Sequence, residues 1–150
     1  IEDSSGRTVA EGLSTWLLIQ LAARKPARMP KEVLEFAVKG KAAPFAPGAD
    51  PAAGKPAGEP RWSAPVSWTD LDINGHATFV RLVEWTLGAA PHEFCARNRL
   101  ASMVLKFEQE ALPGEEVSAW MELNGGRGSH ALTRGDGGVA VRGWTVWEAL

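Results

Sequence analysis

Apolar residues recur at helical spacing after Asn74. In "NGHATFVRLVEWTLGAA", Phe79, Val80, Leu82, Val83, Trp85 and Leu87 form a wide stripe. Asn74 stands where an N-cap belongs, and Gly88 and Pro91 end or kink the helix. A short second helical piece, "PHEFCARN", follows. The period then changes to two. Ala101, Met103, Leu105 and Phe107 share one face, with Ser102, Lys106 and Glu108 on the other, and Val117, Ala119, Met121 and Leu123 repeat the alternation. The glycine-rich "NGGRGSHALTRGDGGVAVRGWTVWEAL" supplies two more extended segments split by "RGDGG", a hairpin turn. Ahead of the helix, "APVSWTD" reads as extended. The order is strand, helix, then an antiparallel run, which predicts an α+β fold with the sheet packed on the helix.

The beginning of the chain carries a different pattern. "EDSSGR" is a turn cluster, and "TVAEGLSTWLLIQL" follows with bulky and β-branched residues, so the block reads as a hairpin. "RKPARMPKEVLEF" has two prolines and a basic cluster of Arg24, Lys25, Arg28 and Lys31, read as a solvated exit loop rather than a dock for an acidic partner. Gly40 to Pro60 holds five prolines, four glycines and seven alanines, with Phe45 as its only large apolar residue. Such a stretch behaves as a semi-stiff linker. The predicted organisation is a hairpin over 1–39, a linker over 40–61 and a domain over 62–150.

Composition narrows the field. Over 150 residues, 45% are hydrophobic and 23% charged, the balance of a globular chain. A net charge of −2 argues against a nucleic-acid binder driven by bulk electrostatics. Cys95 is the only cysteine, so no disulfide forms within the chain, and a reducing compartment such as the cytoplasm fits. The longest apolar run, "WLLIQLAA", is too short for a bilayer. The chain starts at Ile1 inside what reads as a strand, as expected of a processed or truncated protein.

Three site motifs can be weighed and set aside. Asp70, Asp72, Asn74 and Gly75 fall on positions one, three, five and six of a calcium-binding EF-hand loop. Position twelve, where a bidentate glutamate belongs, is Arg81, and the preceding segment contains Pro65 instead of forming a helix. His76, His92 and His130 are scattered, and "HEFCA" puts Ala96 where a zincin has its second histidine, so no metal is predicted. Gly48 to Lys55 has the wrong spacing for a phosphate loop, with Pro56 in place of the Ser or Thr that binds magnesium.

The turn before the helix carries the chemistry. Asp72, Asn74 and His76 occupy alternate positions, and alternate side chains of an extended segment emerge on one side. If the helix starts at once, its N–H groups face the same space. A histidine that activates water, a carboxylate that assists it and N–H groups that polarise a carbonyl together suit acyl transfer. The competing reading is a capped turn, since Asp and Asn are common caps.

"VSWTDLDINGHATFVRLVEW" resembles the signature of the acyl-carrier-protein thioesterases of plants and bacteria, a D-x-D-x-N-x-H run entering a helix that ends in tryptophan. The likeness continues through "ASMVLKFEQEALPGE", and "SSGRTVAEGLSTWLLIQLAARKPARMPKEV" is similar to the closing hairpin of that family's first hotdog domain. The resemblance implies a hotdog fold, a helix wrapped by a curled antiparallel sheet, preceded by the remnant of another. It implies hydrolysis of fatty acyl-acyl-carrier-protein, without a cofactor, in the cytoplasm or, for a plant protein, the plastid. Asp72, Asn74 and His76 match the family's catalytic Asp, Asn and His, and Glu110 matches its glutamate. Where the family has often carried a cysteine, once proposed as nucleophile, this chain has Ala111. Cys95, about 28 Å from His76 along a continuous helix, is expected to be buried and inert. Most of the first hotdog is missing, which implies a homodimer or pairing with another hotdog domain. An acyl-CoA thioesterase of the single-hotdog kind and a non-catalytic hotdog half that completes a partner's fold are the alternatives.

Overall fold

The computed structural model describes residues 1–20, 22–23, 25–36 and 42–150. Leu21 at the end of the expected first strand, Arg24 of the basic cluster, and the 39/40 boundary with the first linker residues lie outside them. Backbone contacts divide the chain into two units, Ile1–Gly48 and Ala49–Leu150.

In the first unit, Asp3 builds the expected turn. Its Oδ1 accepts from the Ser5 and Arg7 N–H groups at 2.9 and 3.0 Å, and an isolated bridge joins Glu2 to Thr8. The long strand expected over 8–21 reduces to β1 (Ile19–Gln20), paired antiparallel with β2 (Lys25–Pro26). Val9 and Ala10 bond back to the Ile1 carbonyl, and such a lone hairpin is marginal in water. In the segment read as an exit loop, one helical turn, α1 (Lys31–Leu34), follows Pro30. Trp16, Leu17 and Phe36 remain exposed.

The second unit holds one five-stranded antiparallel sheet and the main helix. Its strands are β3 (Trp62–Pro65), β4 (Asn98–Phe107), β5 (Glu116–Asn124), β6 (Arg127–Arg134) and β7 (Val139–Ala149), in the order β3-β5-β6-β7-β4. The helix α2 (Phe79–Leu87) packs on β5, β6 and β7, and α3 (His92–Cys95) follows it. The period-two reading fixes the faces. Val117, Ala119 and Met121 of β5 join Leu132 of β6 and Val141 of β7 in the core beneath α2. Burying each of the Val, Leu and Met side chains contributes about 1.5–3 kcal/mol. In β4, a bulge between Leu100 and Ser102 takes Ala101 out of the expected register, while Met103, Leu105 and Phe107 pair with Thr145, Gly143 and Val141. Trp62 meets Trp85 edge to face at 6.4 Å, joining β3 to α2.

Small residues let the strands close under the helix. A methyl on Gly143 would lie 2.4 Å from Leu105 Cδ2 and 2.7 Å from the Val104 carbonyl oxygen.

The linker composition hides a strap. From Ala49, the Pro-rich segment belongs to the second unit. Trp144 Nε1 donates to the Ala49 carbonyl at 2.9 Å, Lys106 Nζ pairs with Asp50 at 2.7 Å, and Lys55 Nζ lies 3.3 Å over the Trp120 ring. Composition alone misses these contacts because one uses a backbone carbonyl, which every residue has, and the other two join the segment to residues far along the chain.

Candidate active site

Local hydrogen bonding decides the shape of residues 67–78. Ser67 and Asp70 form a capping box around a single 3-10 turn (Trp68–Asp70), with the Ser67 N–H donating to Asp70 Oδ2 at 2.8 Å. The chain then doubles back. The Thr78 N–H donates to the Asp70 carbonyl at 2.8 Å, Leu71 bridges Ala77, and the Asp72 N–H donates to the His76 carbonyl at 2.8 Å. Residues 73–75 close this small ladder, with Gly75 at φ +77°, where other residues are strained.

Asp72 organises the tip. Its Oδ1 accepts from the Asn74 N–H at 2.8 Å and the His76 N–H at 3.3 Å, and Oδ2 accepts from Asn74 Nδ2 at 3.3 Å. Desolvation pushes the Asp72 carboxyl upward, but the N–H donors of His76 and Asn74 outweigh it and hold the group below the usual carboxylate value. The segment is therefore a tight turn and not an extended run, and Asp72 and Asn74 face each other.

Glu110 arrives from the far end of β4. The loop after that strand is tied on both sides. Arg142 Nη2 donates to both carboxylate oxygens of Glu108, the Glu108 N–H donates to the Ala140 carbonyl at 2.8 Å, and the Ala77 N–H donates to the Ala111 carbonyl at 2.9 Å. The last bond joins the loop directly to the turn. His76 Nδ1 then lies 3.4 Å from Glu110 Oε1, with the imidazole about one quarter exposed. The fold thus brings all four sequence-derived positions, Asp72, Asn74, His76 and Glu110, to one surface turn and its neighbouring loop.

Two expectations are corrected. Asn74 is not the helix cap. Thr78 is, its hydroxyl accepting from the Arg81 N–H at 3.2 Å. The helix therefore begins at Phe79, and its N-terminal N–H groups do not follow His76 directly. The signal was faint, because Thr78 is followed three residues later by Arg81 and not by the Glu or Gln of a capping box. Arg81 itself takes the Asp70 carboxylate, Nε to Oδ1 at 3.1 Å, so a guanidinium holds the first ligand position of the would-be calcium loop. Among the described residues, no three His, Cys, Asp or Glu side chains gather as a metal site. Cys95 ends α3, partly buried, and Ala111 is fully buried beside Glu110. An open groove of about 500 Å³ lined by Pro91, Phe94 and Arg97 includes none of the four site residues.

With this geometry in hand, relatives can be compared. The family model for the acyl-ACP thioesterase C-terminal domain matches residues 58–149. A chloroplastic palmitoyl-acyl carrier protein thioesterase of Arabidopsis thaliana is 26% identical over 168 residues, which cover 97% of this chain and 40% of that protein. Among solved structures, an acyl-ACP thioesterase from Bacteroides thetaiotaomicron superposes with a TM-score of 0.73 at 21% identity, over 87% of this chain and 53% of that one. A hexameric hotdog fold thioesterase of Campylobacter jejuni matches with a TM-score of 0.53 at 14% identity, over 62% of this chain and 84% of its own. The expected α+β hotdog architecture is therefore the fold of the second unit. The chain spans about two fifths of the length of the Arabidopsis relative.

Proposed function

The chain belongs to the acyl-ACP thioesterase family through its C-terminal domain, and we propose that it hydrolyses the thioester linking a fatty acyl chain to the phosphopantetheine arm of acyl carrier protein. The observation that supports this most is the approach of His76 Nδ1 to Glu110 Oε1 at 3.4 Å beside the Asp72–Asn74 turn. A histidine held by a carboxylate has its second ring nitrogen set up as a proton acceptor. His76 Nε2 takes a proton from water, and the resulting hydroxide adds to the thioester carbonyl. Asn74 has two amide hydrogens; one is directed at Asp72 and the other meets the developing oxyanion. Collapse of the tetrahedral adduct breaks the C–S bond, and the imidazolium returns its proton to the leaving thiolate. The products are a free fatty acid and the carrier thiol. With Ala111 in place of a cysteine after Glu110, the hydrolysis falls to the carboxylates, Asn74 and His76.

The rest of the acyl-binding surface comes from a second hotdog unit, either the earlier part of a longer chain or another copy. Val80 of α2 and Met103 and Phe107 of β4 are each more than two fifths exposed, which supports such pairing. The compartment is the cytoplasm, or the plastid in a plant, as for the chloroplastic Arabidopsis relative.

Free-thiol release across acyl-carrier-protein substrates of increasing chain length tests the proposal, with His76→Ala as the control. Release by the wild type and none by the variant is the expected result. Full activity in His76→Ala would overturn the site. Faster hydrolysis of acyl-CoA than of acyl-carrier protein would transfer the assignment to a CoA-dependent hydrolase, and absence of release from either would favour a non-catalytic half.

A further inference from the structure

Asp70 and Arg81 bracket the turn that carries Asp72 and His76, and neither has a part in the proposed chemistry. Asp70 is attached on several sides, its own N–H donating to the Ser67 carbonyl at 3.0 Å. Its carbonyl accepts the Thr78 N–H, its Oδ2 accepts the Ser67 N–H, and its Oδ1 meets Arg81 Nε at 3.1 Å. The Asp70–Thr78 rung is the base of the ladder whose next rung, through Asp72 and His76, sets those two residues opposite each other. Arg81 stands in the first turn of α2, and Thr78 accepts its backbone N–H. Its guanidinium is gripped on the other side by Glu84 Oε2 at 2.8 Å. The fork therefore fixes the base of the turn to the helix, which is itself packed on the sheet. The Asp70 carboxylate is mostly shielded, with 13% exposure.

We propose that the Arg81–Asp70 ion pair is a positioning device that holds the turn in the geometry that presents His76 and Asp72 to substrate. This role rests on the thioesterase reading above. The pair touches no reacting atom. Without it, the rung at Thr78 is free to open while the core beneath α2 stays intact, so reacting groups drift and the substrate surface does not. Lysine replaces only part of it, because a single ammonium cannot engage Asp70 and Glu84 with the geometry of a planar fork.

The test compares wild type, Arg81→Gln, Arg81→Lys, Asp70→Asn and the double variant Asp70→Asn/Arg81→Gln, by thiol release from acyl-carrier protein and by amide hydrogen exchange. Arg81→Gln lowers kcat about 10- to 100-fold with KM unchanged, the scale of a small misplacement of reacting groups. Arg81→Lys recovers part of the loss, and the double variant is no worse than the poorer single one. Exchange at the Thr78 and His76 amides accelerates about tenfold or more in Arg81→Gln, while Val117 and Leu132 in the core keep their protection. Unchanged exchange at Thr78 and His76 would overturn the inference, as would a fall in kcat that merely follows a fall in Tm. A wild type that releases no thiol would sink the thioesterase reading instead. The exchange measurement would still decide whether the pair holds the turn.

Discussion

His76 Nδ1 lies 3.4 Å from Glu110 Oε1, although the two residues come from opposite ends of the helix-to-strand excursion. A proton on Nδ1 is drawn toward the carboxylate, leaving Nε2 as the acceptor. His76→Ala is expected to lower kcat by about 10²- to 10⁴-fold, the usual contribution of general base catalysis. Glu110→Gln keeps the shape and removes the charge, so it should also lower kcat, with a smaller effect on KM. A single turnover in ¹⁸O-labelled water should put the label in the released fatty acid. Label in the peptide containing Glu110 would instead demonstrate an acyl-enzyme anhydride.

Asp72 titrates below the ordinary value of 3.8. Desolvation opposes that shift, and the His76 and Asn74 N–H donors outweigh it. With the folded value depressed, the contribution of Asp72 to the turn is complete above the unfolded value and is lost as pH falls through the folded one. Carboxyl-carbon NMR should therefore give Asp72 a midpoint under 3.8, and Asn74→Ala should move it up. An unchanged midpoint in Asn74→Ala would remove Asn74 from the arrangement.

Some features were plain in the letters and others were not, for physical reasons. The alternation at Val117, Ala119, Met121 and Leu123 came through because its period maps onto one inward face, and the helical stripe came through at Leu82 and Trp85, while Phe79 and Val80 at its start stay exposed. The bulge at Ala101 did not, since a bulge is a property of two paired strands. Within the turn, the residue types at 72, 74 and 76 and at 110 could be matched by resemblance. Their contacts could not, because Asp72 binds backbone N–H groups that have no letter of their own. In the sequence, Arg81 reads only as the wrong residue for calcium. Its pairing with Asp70 needs the chain to double back, which spacing does not show.

Cys95→Ser should leave kcat and KM nearly intact. The thiol ends α3, and Ala111, not cysteine, follows Glu110 and is fully buried. Iodoacetamide at a concentration that labels Cys95 should likewise spare thiol release. A loss of activity that tracks labelling would bring a thiol back into the mechanism.

Gly143→Ala should destabilise the sheet without touching the chemistry. The added methyl meets Leu105 Cδ2 at 2.4 Å and the Val104 carbonyl oxygen at 2.7 Å, and backbone cannot yield as a side-chain tip can. Overpacking of this kind costs about 1–3 kcal/mol, which at roughly 4–8 °C per kcal/mol for a domain of about 100 residues is a fall in Tm of at least several degrees. The folded fraction should keep its specific activity. A Tm equal to wild type would mean that β4 and β7 can separate locally at that position.

His130 gives the second unit a pH-dependent stability of its own. The imidazole is 2% exposed on the inner face of β6, with Nε2 2.8 Å from Thr145 Oγ1. Thr145 Oγ1 also accepts the Trp147 Nε1–H at 2.8 Å. The other ring nitrogen, Nδ1, is buried without a well-formed hydrogen bond, facing the backbone of Thr86. Burial depresses the His130 pKa, and the Thr86 backbone offsets this only in part. The unfolded chain takes up that proton near pH 6.5, and the folded chain does so only at lower pH. Stability is therefore greatest above pH 6.5 and declines as pH falls from there toward the folded value. His130→Gln keeps a polar side chain for Thr145 and removes the titration. Between pH 7.5 and pH 5, the Tm of the wild type should fall further than that of His130→Gln. Parallel falls would mean that His130 is protonated in the folded sheet as readily as in the unfolded chain.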